Sequence, residues 1–183
     1  MTDTAALFWN SFLYDNLVLA YFLGVLLILV ETKDLKSSYS RGLKFAGILI
    51  GSTIIGWLGY AALGSELSTF APVVFFITTM IGVAVLRYWG ELEGEWLGFP
   101  RYIVALGVLF GKQWLVFENS LGYAEMLTFA LGSAAGFYLV FVLISAIREQ
   151  ILISESAPQF KRYSTLLATL GVLGLGLIGF HVL

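Results

Sequence analysis

Met126-Leu127-Thr128-Phe129-Ala130-Leu131-Gly132-Ser133-Ala134-Ala135-Gly136-Phe137-Tyr138-Leu139-Val140-Phe141-Val142-Leu143-Ile144-Ser145-Ala146-Ile147 contains no charged side chain. Its only polar groups are the hydroxyls of Thr128, Ser133, Tyr138 and Ser145. A helix needs roughly 20 apolar residues to cross the hydrocarbon core of a bilayer. A helix also satisfies its own backbone groups, which an open strand in lipid does not. This stretch therefore predicts a membrane-spanning helix and an all-α, polytopic membrane fold.

The rest of the chain agrees. Of its 183 residues, 59% are hydrophobic and 12% charged, and its mean hydropathy is +0.90. Soluble domains carry about a quarter charged residues. The net charge of −2 offers no basic patch for nucleic acid. There is no cysteine, which removes disulfides and the usual iron–sulfur ligands. The first residues lack a basic region and a small-residue cleavage site, so no removable signal peptide is expected.

Six spans are predicted, at about 7–30, 42–63, 70–88, 102–117, 126–147 and 164–183. They form a single integral membrane domain, 1–183, with halves at about 1–90 and 91–183. The fourth span is the weakest, being short and interrupted by Lys112 and Gln113. Lys33, Lys36, Arg41 and Lys44 flank the first connection, Arg87 and Arg101 the third, and Arg148, Lys161 and Arg162 the fifth. Nine of ten basic residues thus fall on one side, with Lys112 the exception. The positive-inside rule then puts both termini on the non-cytoplasmic side. Glu91, Glu93 and Glu95 read as a solvated interfacial run, the alternative being a cation-attracting vestibule or docking surface.

Leu23-Gly24-Val25-Leu26 in the first span recurs as Leu106-Gly107-Val108-Leu109 in the fourth. Three-helix halves would be inverted relative to one another, and inverted repeats place functional sites near the midplane. Gly47 and Gly51, and Gly132 and Gly136, lie at helix-packing spacing. They serve either contacts within the chain or contact with another subunit. The five tryptophans mostly fall near span ends, as an interfacial belt would have them.

Ionisable residues inside a span are costly and are candidates for function. Asp15 lies about eight residues into the first span, roughly 12 Å deep, and Lys112 about six residues from the outer end of the fourth, roughly 9 Å. They face one polar interior and pair, or each snorkels to the outer interface. Asn16 can hydrogen-bond across helices or to unwound backbone. Arg148 and Glu149 end the fifth span as a cytoplasmic anchor or a docking point. The lone histidine, His181, has no co-ligands and reads as interfacial. No phosphate loop, dinucleotide fingerprint, metalloprotease motif or Ser/His/Asp set is present, so no catalysis by this chain alone is expected.

Several motifs resemble the membrane subunits of the Rnf/Nqr family. They are Asn16-Leu17-Val18-Leu19-Ala20-Tyr21-Phe22-Leu23-Gly24, Ser133-Ala134-Ala135-Gly136-Phe137, Ser145-Ala146-Ile147-Arg148-Glu149, and the tail from Ala157-Pro158-Gln159-Phe160 onward. The likeness covers nearly the whole chain and is to the RnfA/NqrE branch. It implies six helices in an inverted repeat with both termini outside, in a bacterial-type inner membrane. It also implies membership of a complex that couples electron transfer to sodium or proton movement. In that family two homologous subunits face each other, and broken first and fourth helices supply four cysteines to one [2Fe–2S] cluster.

This sequence departs from the pattern at the cluster. Val25-Leu26-Leu27 stands where the family has Leu-Cys-Pro, and the second family cysteine falls near Gly107. Leucine and glycine cannot ligate iron, so no cofactor is expected on this chain, and partner subunits would carry the iron–sulfur clusters or flavin. Leu27 in place of the family proline also removes the signal for a broken first helix. The favoured reading is a cluster-free Rnf/Nqr-like subunit that scaffolds partners and lines an ion path near Asp15, Asn16 and Lys112. The alternatives are a stand-alone or homodimeric small-ion transporter on the same fold, and a structural component of an unrelated assembly.

Overall fold

A computed structural model describes residues 4–32, 34–63, 69–96, 99–153 and 163–182. Lys33, Lys161, Arg162 and the segment 157–160 lie outside the described residues, as does the side chain of His181. Among the described residues the regular structure is helical apart from two paired strands of two residues each. Its elements are α1 (Thr4–Trp9), a π-helical turn (Asn10–Tyr14), α2 (Val25–Glu31), α3 (Leu35–Leu63), α4 (Ala71–Tyr88), β1 (Glu95–Trp96), β2 (Phe99–Pro100), α5 (Arg101–Glu118), α6 (Tyr123–Ile153) and α7 (Tyr163–Val182). Among the described residues three helical segments are long and apolar enough to cross a membrane: Leu35–Leu63, Ala71–Tyr88 and Tyr123–Ile151. Ser164–Gly176 is a shorter apolar helix.

The helix starts follow from local chemistry. Asp34 precedes α3, and its carboxylate accepts from the Ser37 N–H (3.0 Å) and the Ser37 hydroxyl (2.7 Å). Pro72 sits in the first turn of α4, where a missing N–H costs nothing. Glu125, in the first turn of α6, accepts from the Gly122 N–H at 3.1 Å. In the third connection, Glu95 pairs with Pro100 and Trp96 with Phe99, antiparallel.

The first predicted span is not one helix. The chain tightens into the π-helical turn, runs irregularly from Asp15 to Gly24, and restarts as α2. No proline is involved. Gly24 adopts φ +93°, which suits glycine. A Cβ there would also stand 2.9 Å from the Phe137 ring. Asn16 satisfies the interrupted backbone: its Oδ1 accepts from the N–H groups of Val18 (3.0 Å) and Leu19 (3.4 Å), and its Nδ2 donates to Phe12 O (2.9 Å). Asn16, Leu17 and Val18 are buried, so this part of the irregular backbone is enclosed by protein, the condition for tolerating it at membrane depth, whereas Asp15, Ala20, Tyr21 and Phe22 are exposed. The fourth span behaves differently: α5 is continuous through Lys112 and Gln113.

The main core joins Ile28 of α2, Leu49 of α3, Leu86 of α4, Leu109 of α5, Phe137 and Phe141 of α6, and Leu170 of α7. α6 is the central post. Gly132 stands against Ser11 Oγ and Phe8 O, and a Cβ on Gly136 would lie 2.5 Å from both Asn16 Nδ2 and Phe12 O. These two glycines let the broken first segment lie directly on α6. Among the described residues no atom lies within 4 Å of a Cβ built on Gly47 or Gly51, so neither makes a close helix approach to them.

Candidate functional site

Lys112 is fully buried midway along α5. Its ammonium donates to two main-chain carbonyls on different helices, Ala130 O of α6 at 3.1 Å and Leu49 O of α3 at 3.3 Å. Among the described residues no carboxylate forms an ion pair with it. Hydroxyls share the same acceptors: Thr53 Oγ1 donates to Leu49 O (2.6 Å), and Ser133 Oγ lies 3.3 Å from Ala130 O. Isolated buried charge is expensive, and these two carbonyls are the hydrogen-bond acceptors that the Lys112 nitrogen finds.

Gln113, the next residue, extends the polar zone toward α4. Its Oε1 accepts from Thr78 (2.6 Å), and its Nε2 donates to the Thr79 hydroxyl (3.1 Å). A cavity of about 150 Å³ lies beside it, lined by Thr53, Trp57, Gln113 and Phe117 among others, and reaches the α5–α6 connection at Ser120 and Leu121. Trp57 closes one wall and donates from Nε1 to Leu121 O at 3.0 Å. Sequence reasoning did not single out Gln113 as a site residue. Its position beside Lys112 in an apolar span was the available signal.

Asp15 does not join this zone. It is exposed, just past the π-helical turn, while Lys112 points into the bundle. The turn that ends the helix at Asp15 swings its side chain outward and tucks Asn16 inward. Asn16 is buried and serves the backbone of the break.

The opposite end of the bundle gathers charge. Glu31, at the end of α2, is buried between Arg41 and Arg101, each 3.6 Å away. Arg41 also reaches Glu91 (3.4 Å), and Lys44 binds Glu91 at 2.8 Å. Glu91 is therefore a buried ion-pair partner and not part of a solvated run, whereas Glu93 and Glu95 are exposed. The difference is the turn after α4, which folds Glu91 back onto α3. Glu31 was not legible as a site residue, because only folding brings Arg41 and Arg101 to it.

Arg148 and Glu149 bracket the α2–α3 connection. Arg148 Nη1 donates to Leu29 O (3.1 Å) and to Thr32 O, at the carbonyl end of α2. Glu149 Oε2 accepts from the Leu35 N–H (2.9 Å) at the start of α3. A cation at one helix's carbonyl end and an anion at the next one's amide end both oppose the local dipole. Ser145, one turn earlier, donates to Ser38 Oγ at 2.7 Å.

The family model described as "Rnf-Nqr subunit, membrane protein" matches residues 4–183. The chain belongs to the Rnf-Nqr subunit family. Proteins named as one of the subunits of an ion-translocating oxidoreductase complex resemble it along nearly their whole length. Those of Alkalilimnicola ehrlichii and Yersinia pestis are 28% and 27% identical, each covering 98% of this chain and 97% of the relative. That of Photorhabdus laumondii is 28% identical with the same coverage.

The iron–sulfur cluster that the resemblance implies does not fit this Rnf-Nqr subunit. Leu26 presents an exposed hydrocarbon side chain and Gly107 presents none. Neither donates to iron, and among the described residues no three His, Cys, Asp or Glu side chains come together as a metal site. The first segment is interrupted between Asn16 and Gly24, and the positions where the resemblance puts thiolates hold Leu26 and Gly107.

Proposed function

We propose that this protein is a membrane subunit of a bacterial, ion-translocating electron-transport complex of the Rnf/Nqr type, and that it carries no iron–sulfur cluster of its own. It scaffolds homologous membrane subunits, and partner subunits hold the clusters or flavin. In this reading it sits in the inner membrane and crosses it six times as two inverted halves, with both termini on the non-cytoplasmic side. The gathering of Arg41, Lys44, Arg101 and Arg148 at one end of the bundle supports that orientation. The ion path is lined near Lys112, Asn16 and the cavity beside Gln113.

One observation carries the reading: the first segment is interrupted between Asp15 and Gly24, and the helical turns before the interruption pack directly on Gly132 and Gly136 of α6. Irregular backbone at membrane depth is costly to maintain and marks function. Gentle solubilisation, followed by identification of accompanying polypeptides and metals, tests it. Redox subunits and iron should accompany the chain. A stable isolated chain that conducts ions in liposomes would overturn this in favour of a stand-alone transporter.

A further inference from the structure

We propose that the Lys112 ammonium is the tethered occupant of a monovalent-cation site whose ligands are the carbonyl oxygens of Leu49 and Ala130. This rests on the reading of the chain as a subunit that lines an ion path, and says what closes the path at this level. The ligand chemistry is that of a cation site: two main-chain oxygens from different helices converge on one buried positive charge at 3.1 and 3.3 Å. The Thr53 hydroxyl donates to the same Leu49 carbonyl, and the Ser133 hydroxyl, which donates to Phe129 O at 2.6 Å, lies 3.3 Å from Ala130 O. Rings of carbonyl oxygens replace the hydration of monovalent ions in channels. Divalent ions call for carboxylates, and no carboxylate forms an ion pair here among the described residues.

A cavity lies beside the site. Thr53 and Gln113 line the cavity that reaches Ser120 and Leu121. Thr53 thus touches both the cavity and the carbonyl that Lys112 occupies. A hydrated ion entering there would meet a position already filled by a charge it cannot displace, because the ammonium is covalently held. Removing the side chain should empty the oxygen site and leave room for a small cation.

The test uses the complex purified in detergent, carrying Lys112→Ala or Lys112→Met. Melting of the subunit is followed in choline, sodium, potassium and ammonium chlorides at equal ionic strength. Wild type should melt alike in all four. Lys112→Ala should melt lower in choline, and its midpoint should rise with the logarithm of the concentration of at least one small cation, as mass action requires. Lys112→Met fills the space without the charge, so its midpoint should be the same in all four salts. A Lys112→Met variant whose midpoint rises with a small cation as that of Lys112→Ala does overturns the proposal. An assembled Lys112→Ala variant that melts identically in choline and the small cations overturns it too. Partner co-purification with wild type is scored separately, so failure of the cation site is distinct from failure of the complex.

Discussion

The amide nitrogen of Asn16 occupies the space that any side chain on Gly136 would need: a Cβ there would lie 2.5 Å from it. The same amide group holds the break in the first span together, through Phe12 O on one side and the Val18 and Leu19 N–H groups on the other. The α6 glycine and the interrupted helix are therefore one structural unit.

Gly136→Ala should destabilise the subunit by about 1–3 kcal/mol, the usual cost of overpacking, because Phe12 O is backbone and cannot yield. Gly47→Ala should do the reverse. Nothing lies near its Cβ position, so the gain is that of replacing a mid-helix glycine, roughly 0.5–1 kcal/mol. Denaturation of the two variants in detergent checks the sign. If Gly47 abuts another subunit, its replacement by leucine should weaken co-purification without lowering the stability of the isolated chain.

Asn16→Leu should cost about 1–3 kcal/mol, since it leaves buried N–H groups without their acceptor. Protease sensitivity should rise specifically within 15–24, where the backbone has few partners of its own. Unchanged cleavage there, with a global loss of folding, would contradict a local capping role.

Glu31→Gln should lower stability by on the order of 2 kcal/mol, because it strips the carboxylate from between Arg41 and Arg101. Lys44→Met, at the more exposed end of the network, should cost about 1 kcal/mol or less. Only the Lys44 variant should lose its effect in high salt, as screening reaches exposed pairs first.

Asp34 should make stability fall in acid. Hydrogen bonds from the Ser37 hydroxyl and backbone N–H hold its carboxyl below the usual carboxylate range. A depressed folded-state pKa contributes stability above the unfolded value, and that stability is lost as pH falls through the folded value. Asp34→Asn should flatten the acid limb of a stability–pH profile and Ser37→Ala should shift it upward, both read by melting between neutral pH and the carboxylate range.

The sequence alone determined the membrane setting, the positions of the long apolar helices α3, α4 and α6, and the absence of cysteine. Apolar length, charge placement and residue chemistry are one-dimensional properties, and they survive any fold. The tertiary structure decided the rest, because it depended on which way a side chain turned. The π-helical turn sent Asp15 outward and Asn16 inward, so adjacent residues that looked alike took opposite roles. Gly47 and Gly136 have the same spacing signature, yet only one meets a neighbouring backbone. Glu91 read as a solvated charge until the turn after α4 placed it on Lys44 and Arg41. Lys112 looked able to reach an interface by snorkelling. Only folding brings Leu49 O and Ala130 O, from helices distant in sequence, to its buried side-chain nitrogen.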